Sequence, residues 1–211
     1  MSHDHPHNHA DYQPDIEDFP FSERMVMTQA VAELIVEKGI CTADELRRQI
    51  ELMDSREPAL GAKLVAKTWV DADYKARVLE DCGKAAAEIG IDIGDIPIKA
   101  LENTTDVHNV VVCTLCSCYP RMLIGLPPDW YKYRAYRSRA VKEPRKVLQE
   151  FGTQIADDVE VRVHDSTADL RYLVLPARPA GTDGWDEEKL AQLITRDSMV
   201  GVTTAKSPED I

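Results

Sequence analysis

No stretch of about 18 consecutive apolar residues occurs anywhere in the chain, so no bilayer-spanning helix is expected. The first ten residues, MSHDHPHNHA, lack both the basic start and the apolar centre of a secretory leader. The expected location is therefore cytoplasmic, where thiols stay reduced unless they bind metal or do chemistry. Positive charge is also scarce. The 211 residues carry 25 Lys and Arg against 37 Asp and Glu, a net of −12. That balance excludes nucleic acid as a partner, because phosphate binding needs a basic face. No internal repeat is present.

What is present is enough for a globular core, with 44% hydrophobic residues. The charge is unevenly spread. Residues 1–22 hold five acids and no Lys or Arg, whereas residues 121–150 hold eight basic residues and three acids, a net of +5. Such a segment is either a solvated helix face or the support for something anionic.

The chain reads as four parts. Residues 1–21 form a His-rich arm, in which His3, His5, His7 and His9 alternate; it is either a loose metal tract or a solvated tail. Residues 22–90 form a helical segment. Ser22 caps a helix that Gly39 stops, and Thr42-Ala-Asp-Glu45 is a capping box for the next, which ends before Pro58. A third helix covers about 59–69, and Asp71 caps a fourth that runs to Gly90. Residues 91–205 form a mixed α/β domain, and 206–211 a tail. Within the domain, 90–97 is loop-like and Val110-Val111-Val112 is a strand ending on Cys113. Residues 129–151 are helical with a break at Pro144. Val159, Val161 and Val163 alternate with polar residues as a half-buried strand does. Residues 170–175 form a further strand, and 186–195 a last helix capped by Asp186. The expected fold class is α+β, helices first, then a layered α/β domain holding a cysteine-rich loop.

Of five cysteines, Cys41 and Cys82 stand alone in helical sequence and read as small buried hydrophobes. Cys113, Cys116 and Cys118 form C-x-x-C-x-C. Three thiols so close cannot share one face of a regular helix or strand, but a tight loop can turn them around one centre. Structural zinc needs a fourth ligand, usually from a second Cys or His pair, and iron–sulfur clusters need a fourth thiolate. The remaining candidates, His108, His164, Cys41 and Cys82, have no paired spacing. A redox C-x-x-C leaves Cys118 unused. The pattern points to a site that finishes its coordination without a fourth side chain, with backbone nitrogens of the loop as one available source of donors; the spacing leaves open which metal.

The heptad Val112-Cys-Thr-Leu-Cys-Ser-Cys118, followed by Tyr119-Pro-Arg121 and Gly125-Leu-Pro-Pro-Asp-Trp-Tyr131, resembles the α subunit of nitrile hydratase. The likeness continues through Tyr136-Arg-Ser-Arg139, Glu143-Pro-Arg145 and Arg178-Pro-Ala-Gly-Thr-Asp-Gly-Trp185. Leu60-Gly-Ala-Lys63 and Glu102-Asn-Thr104 also fit, so it covers about residues 25–202. The resemblance implies a non-corrin Co(III) or non-haem Fe(III) centre, and Thr114 in place of Ser favours cobalt. It implies metal ligation by Cys113, Cys116 and Cys118 with the backbone nitrogens of Ser117 and Cys118. It implies Cys116 as sulfinate and Cys118 as sulfenate. The implied partners are a β subunit, in a heterodimer or α2β2, a metal-insertion activator protein and a small nitrile. The implied reaction is hydration of a nitrile to an amide, with the Cys118 sulfenate oxygen or an activated water attacking the nitrile carbon. Cys116, Ser117 and Cys118 would then line the reacting centre. Arginines 137, 139 and 145 would bridge within the chain or to the β subunit; Leu115 and Leu123 either offer apolar surface beside the claw or are ordinary core residues.

One departure stands out. Many family members carry a Gln about twenty residues before the first claw cysteine, and the stretch Gly90–Pro97 has none; whether Asp92 or Asp95 replaces it is left open by the sequence. The alternative is the related γ subunit of thiocyanate hydrolase, which uses the same claw to convert thiocyanate to carbonyl sulfide and ammonia. Cys118-Tyr-Pro-Arg121 and the His-rich start suit it as well.

Overall fold

The computed structural model describes residues 22–211; the His-rich arm at 1–21 lies outside the described residues. The chain divides into two compact units after Ile50. The first contains α1 (Glu23–Glu37) and most of α2 (Ala43–Asp54). Ser22 Oγ accepts from the Met25 N–H, and Thr42 and Glu45 cap each other reciprocally, as their spacing predicts.

The second unit carries the core. It begins with α3 (Pro58–Val70), α4 (Ala72–Glu80) and α5 (Cys82–Glu88). The single helix expected from Asp71 to Gly90 is two. The Asp81 carboxylate accepts from the Lys84 N–H, so Asp81 starts a new helix instead of continuing the old one. Next come β1 (Ile98–Glu102) and β2 (Val107–Val112). The basic segment folds into α6 (Arg121–Ile124), α7 (Asp129–Lys132), α8 (Arg134–Lys142) and α9 (Pro144–Glu150). The helix expected over 129–151 is thus broken at Tyr133 as well as before Pro144. Two strands follow, β3 (Glu160–Asp165) and β4 (Arg171–Leu175), then α10 (Glu187–Ala191) and α11 (Arg196–Val200). The expected helix over 186–195 stops short, because Thr195 caps α11 with a reciprocal Ser198 bond.

The strands form two parallel pairs. β1 pairs with β4, Ile98 opposite Arg171, and β2 pairs with β3, Val112 opposite Asp165. β1 is absent from the sequence expectation, since Ile-Lys-Ala-Leu-Glu has no β-branched alternation; its pairing with β4 decides its state. β2 is buried at five of six positions, as its valine run requires. Helix α3 lies at the centre of the unit, with Leu64, Val65 and Ala66 fully buried. A Cβ on its Gly61 would come within 2.6 Å of Ile124 and 2.7 Å of Met199, so only glycine lets α3 approach α6 and α11 this closely.

Candidate metal centre

Strand β2 ends at Val112, immediately before Cys113, and the chain then leaves the sheet in a loop that runs to Pro120. The loop brings together the three predicted thiols. Cys113 Sγ and Cys116 Sγ are 3.5 Å apart, and Cys116 Sγ and Cys118 Sγ are 3.3 Å apart. All three sulfurs lie within 4.8 Å of one another, and no His, Asp or Glu joins them among the described residues. Burial grades across the group: Cys113 is buried, Cys118 half-buried and Cys116 exposed. The Cys116 N–H donates to Cys113 Sγ at 3.3 Å, so the backbone inside the loop already turns toward the sulfurs.

The sulfurs alter one another's chemistry. Hydrogen bonding from Cys118 and then Cys113 holds the Cys116 thiol below its ordinary value. Burial, with the bond to Cys116 next, pushes Cys118 up to about 12, against the opposing charge of Arg171.

Four side chains brace the loop and the strand that leads into it. Asp165, the last residue of β3, accepts from the Thr114 N–H at 2.9 Å and the Thr114 hydroxyl at 2.5 Å. Arg137, on α8, donates to the Leu115 carbonyl at 2.9 Å. The Tyr131 hydroxyl donates to the Cys118 carbonyl at 2.8 Å, and the Tyr136 hydroxyl to the Val111 carbonyl at 2.7 Å. Those two tyrosines belong to an edge-to-face aromatic cluster beneath the loop. Trp130 sits 4.9 Å from Tyr136 and 4.7 Å from Phe151, and Tyr119 sits 5.0 Å from Tyr131. The claw therefore rests on a rigid apolar bed that grips its backbone at both ends.

Other expectations resolve differently. His108 is buried away from the sulfurs: Asn103 Nδ2 lies 3.2 Å from its Nδ1, and its Nε2 lies 2.7 Å from the Gly201 carbonyl. A carbonyl only accepts, so Nε2 carries the proton. His164 donates to Asn109 Oδ1 at 2.8 Å. Cys82 is buried and its thiol is pushed up to about 12 by burial, but Cys41 is only half-buried. Leu115 is 89% exposed, whereas Leu123 is fully buried as an ordinary core residue. Of the three arginines, Arg137 touches the claw. Arg139 pairs with Glu143 and Glu150, and Arg145 donates to the Ile155, Ala156 and Val159 carbonyls. Asp92 accepts from the Gly94 N–H within its own loop. Sequence reasoning missed Asp165 and both tyrosine hydroxyls as claw supports. Tyr131 and Tyr136 lay inside the quoted motifs; nothing near Thr114 points to a residue 51 positions on.

The family profile for the nitrile hydratase alpha chain matches residues 22–203. The chain belongs to that family. The low-molecular-weight cobalt-containing nitrile hydratase subunit alpha of Rhodococcus rhodochrous is 50% identical over 182 residues, 85% of this chain and 88% of that one. Thiocyanate hydrolase subunit gamma of Thiobacillus thioparus is 40% identical over 197 residues, 88% of this chain and 81% of that one. A solved recombinant thiocyanate hydrolase with partially modified cobalt centres superposes with a TM-score of 0.84 at 39% identity, covering 90% of this chain and 93% of that one. The nitrile hydratase alpha-chain fold is thus present as a mixed helix and strand structure with its three-cysteine cluster in place. No helix among the described residues is long and apolar enough to cross a membrane.

Proposed function

We propose that this chain is the metal-binding subunit of a cobalt-dependent nitrile hydratase, acting with a β-type partner subunit. The observation that carries the reading is the convergence of three sulfurs within 4.8 Å in a braced loop, in a chain 50% identical to a cobalt-containing alpha subunit. The donor set fits such a metal: it is all sulfur, without a competing carboxylate or imidazole among the described residues. In this reading Cys113, Cys116 and Cys118 hold Co(III), with the backbone nitrogens of Ser117 and Cys118, and an Fe(III) form is the lesser alternative. Bound there, the metal supplies Lewis acidity toward a C≡N group.

The protein's own groups do the rest. Cys116 as sulfinate and Cys118 as sulfenate place oxygen atoms at the exposed rim of the claw. The Cys118 oxygen would either take a proton from the water that attacks the nitrile carbon, or itself bond to that carbon; in the second case a water then attacks the sulfur, the S–O bond breaks to release the imidate, and the sulfenate is restored. Net addition of water across C≡N gives an imidic acid, and moving its proton from oxygen to nitrogen gives the amide. Ser117, between the two oxidised cysteines, contributes its backbone to the same rim. Asp165, Arg137 and Tyr131 fix the loop so that these atoms keep their positions. A metal-insertion activator and a β subunit that supplies counter-charge complete the reading.

Thiocyanate hydrolysis is the second reading. It is favoured by the 40% identity to a thiocyanate hydrolase gamma subunit and by the absence of Gln from 90–97. One experiment separates the two. The chain is co-expressed with its partner subunits in cobalt medium, and the complex is assayed for amide from nitriles and for carbonyl sulfide from thiocyanate. Amide as the main product supports the proposal; carbonyl sulfide alone replaces it with the second reading.

A further inference from the structure

A cavity of about 320 Å³ opens immediately beyond the claw, where Tyr119 follows Cys118. Its lining includes three isoleucines, Ile93 and Ile96 of the 90–97 loop and Ile98 at the start of β1, and two cations, Arg121 at the start of α6 and Arg171 at the start of β4. Strand pairing fixes Arg171 there: its N–H donates to the Pro97 carbonyl at 3.0 Å, and it lies opposite Ile98. No acidic side chain lines the cavity. Asp92 and Asp95, on the same loop as Ile93 and Ile96, line the neighbouring groove instead.

Neither arginine forms a side-chain hydrogen bond or ion pair among the described residues, in a chain whose net charge is −12. Arg171 Nη1 is moreover buried without a partner, as is the Tyr119 hydroxyl, and Tyr119 is only 2% exposed. A buried guanidinium nitrogen left unpaired is costly, and such a group is ordinarily satisfied by an anion. Arginine's planar fork suits a carboxylate or another small anion.

We propose that this cavity is an anion-recognition subsite, which makes the enzyme selective for C≡N compounds that carry a negative charge. The inference rests on the C≡N chemistry proposed above and adds the charge of the substrate. Arg121 and Arg171 face the anionic group, and the three isoleucines pack against the carbon skeleton of a substrate that has one. Two sources share this chemistry: a nitrile bearing a carboxylate, and thiocyanate, which is itself an anion.

The test uses the cobalt-loaded complex with its partner subunits. Turnover is compared for propionitrile, for cyanoacetate and for thiocyanate, with the wild type and with Arg171→Gln and Arg121→Gln. The expected result is a higher kcat/KM for an anionic substrate than for propionitrile, and a fall in that preference of about tenfold or more in each variant, carried by KM. Cyanoacetate above thiocyanate identifies a cyano-acid enzyme; the reverse order identifies thiocyanate as the anion. Equal use of charged and neutral substrates, or a preference untouched by both substitutions, overturns the subsite. Calorimetric binding of butyrate against butyramide reads the cavity without turnover. Butyrate binding that weakens by about tenfold in Arg171→Gln supports the subsite even in a complex that turns over none of the three substrates, and that outcome would defeat the C≡N reading alone. No difference between butyrate and butyramide overturns the subsite.

Discussion

The carboxylate of Asp165 holds both polar groups of Thr114, its backbone N–H and its hydroxyl, from the far end of a strand 51 residues along the chain. Thr114 is the first residue after Cys113, so this pair sets the direction in which the chain leaves β2. Parallel pairing of Val112 with Asp165 makes the contact possible. Asp165→Asn keeps the shape but replaces a charge-assisted acceptor with a weaker one and turns a donor toward one of its two partners. The expected cost is about 1.5–3 kcal/mol of local stability, read as a lower cobalt content and a slower turnover in the purified complex. Unchanged cobalt content would show that the loop does not need this brace.

At the other end of the loop, Tyr131 is fully buried and its hydroxyl is the group that reaches the Cys118 carbonyl. Tyr131→Phe preserves the ring packing and removes one hydrogen bond. A loss of about 1 kcal/mol is expected, seen as a fall in Tm of about 2–4 °C by calorimetry. Turnover should fall with it, since the same bond positions Cys118. A variant with normal Tm and normal turnover would mean that packing alone holds the loop.

Gly201 gives the sharpest stability prediction. Its φ is +87°, and a Cβ there would lie 2.0 Å from the Asn109 carbonyl oxygen, which is backbone and cannot swing aside. Gly201→Ala is expected to cost about 3 kcal/mol or more, from left-handed strain and steric overlap together. Gly39→Ala is the control: its φ is +67° but nothing lies within 4 Å, so only the strain of about 1 kcal/mol remains. Denaturant unfolding of the two variants should rank them in that order, and equal effects would contradict the close approach.

Burial holds His108 below its ordinary 6.5, against the opposing bond to the Gly201 carbonyl. The unfolded chain therefore takes up this proton at a higher pH than the folded chain. The contribution of the neutral ring to stability is fullest above about pH 6.5 and declines as the pH falls from there toward the folded value. His108→Gln removes the titration. The stability of the wild type relative to this variant should shrink between about pH 7.5 and pH 5, measured by unfolding at each pH. A gap that stays constant or widens on acidification would contradict a neutral buried ring.

How much of this was legible in the sequence follows from how local each signal is. Ser22, Thr42 with Glu45, and Asp186 announce their helices because a cap acts within three residues. Asp81 announces one in the same way, with its acceptor aimed at Lys84, but the run of helix formers on both sides hid the break. The three claw cysteines were legible because their spacing alone forbids a regular element. The supports were not. Asp165 and Tyr136 reach the loop and its strand, and Arg171 its place beside Ile98, through parallel strand pairing and helix packing, which no window of residues encodes. Arg137 was marked as a bridging residue, yet its partners are backbone carbonyls of the loop, groups that every residue carries and no pattern distinguishes.

The proposed oxidation of Cys116 and Cys118 has its own signature. The peptide spanning 111–121 from active complex should gain about 32 Da on Cys116, two added oxygens, with the Cys118 sulfenate trapped by a sulfenate-reactive reagent. An unmodified Cys116 in active enzyme would remove the oxidised cysteines from the account.

Metal analysis of the purified complex is the most direct measurement of the central proposal, that three cysteines hold the catalytic metal. Wild-type complex should contain about one cobalt per copy of this chain, and Cys113→Ser, Cys116→Ser and Cys118→Ser should each lose it together with turnover. Zinc in place of cobalt, or full cobalt and normal turnover in any one of the three variants, would contradict it.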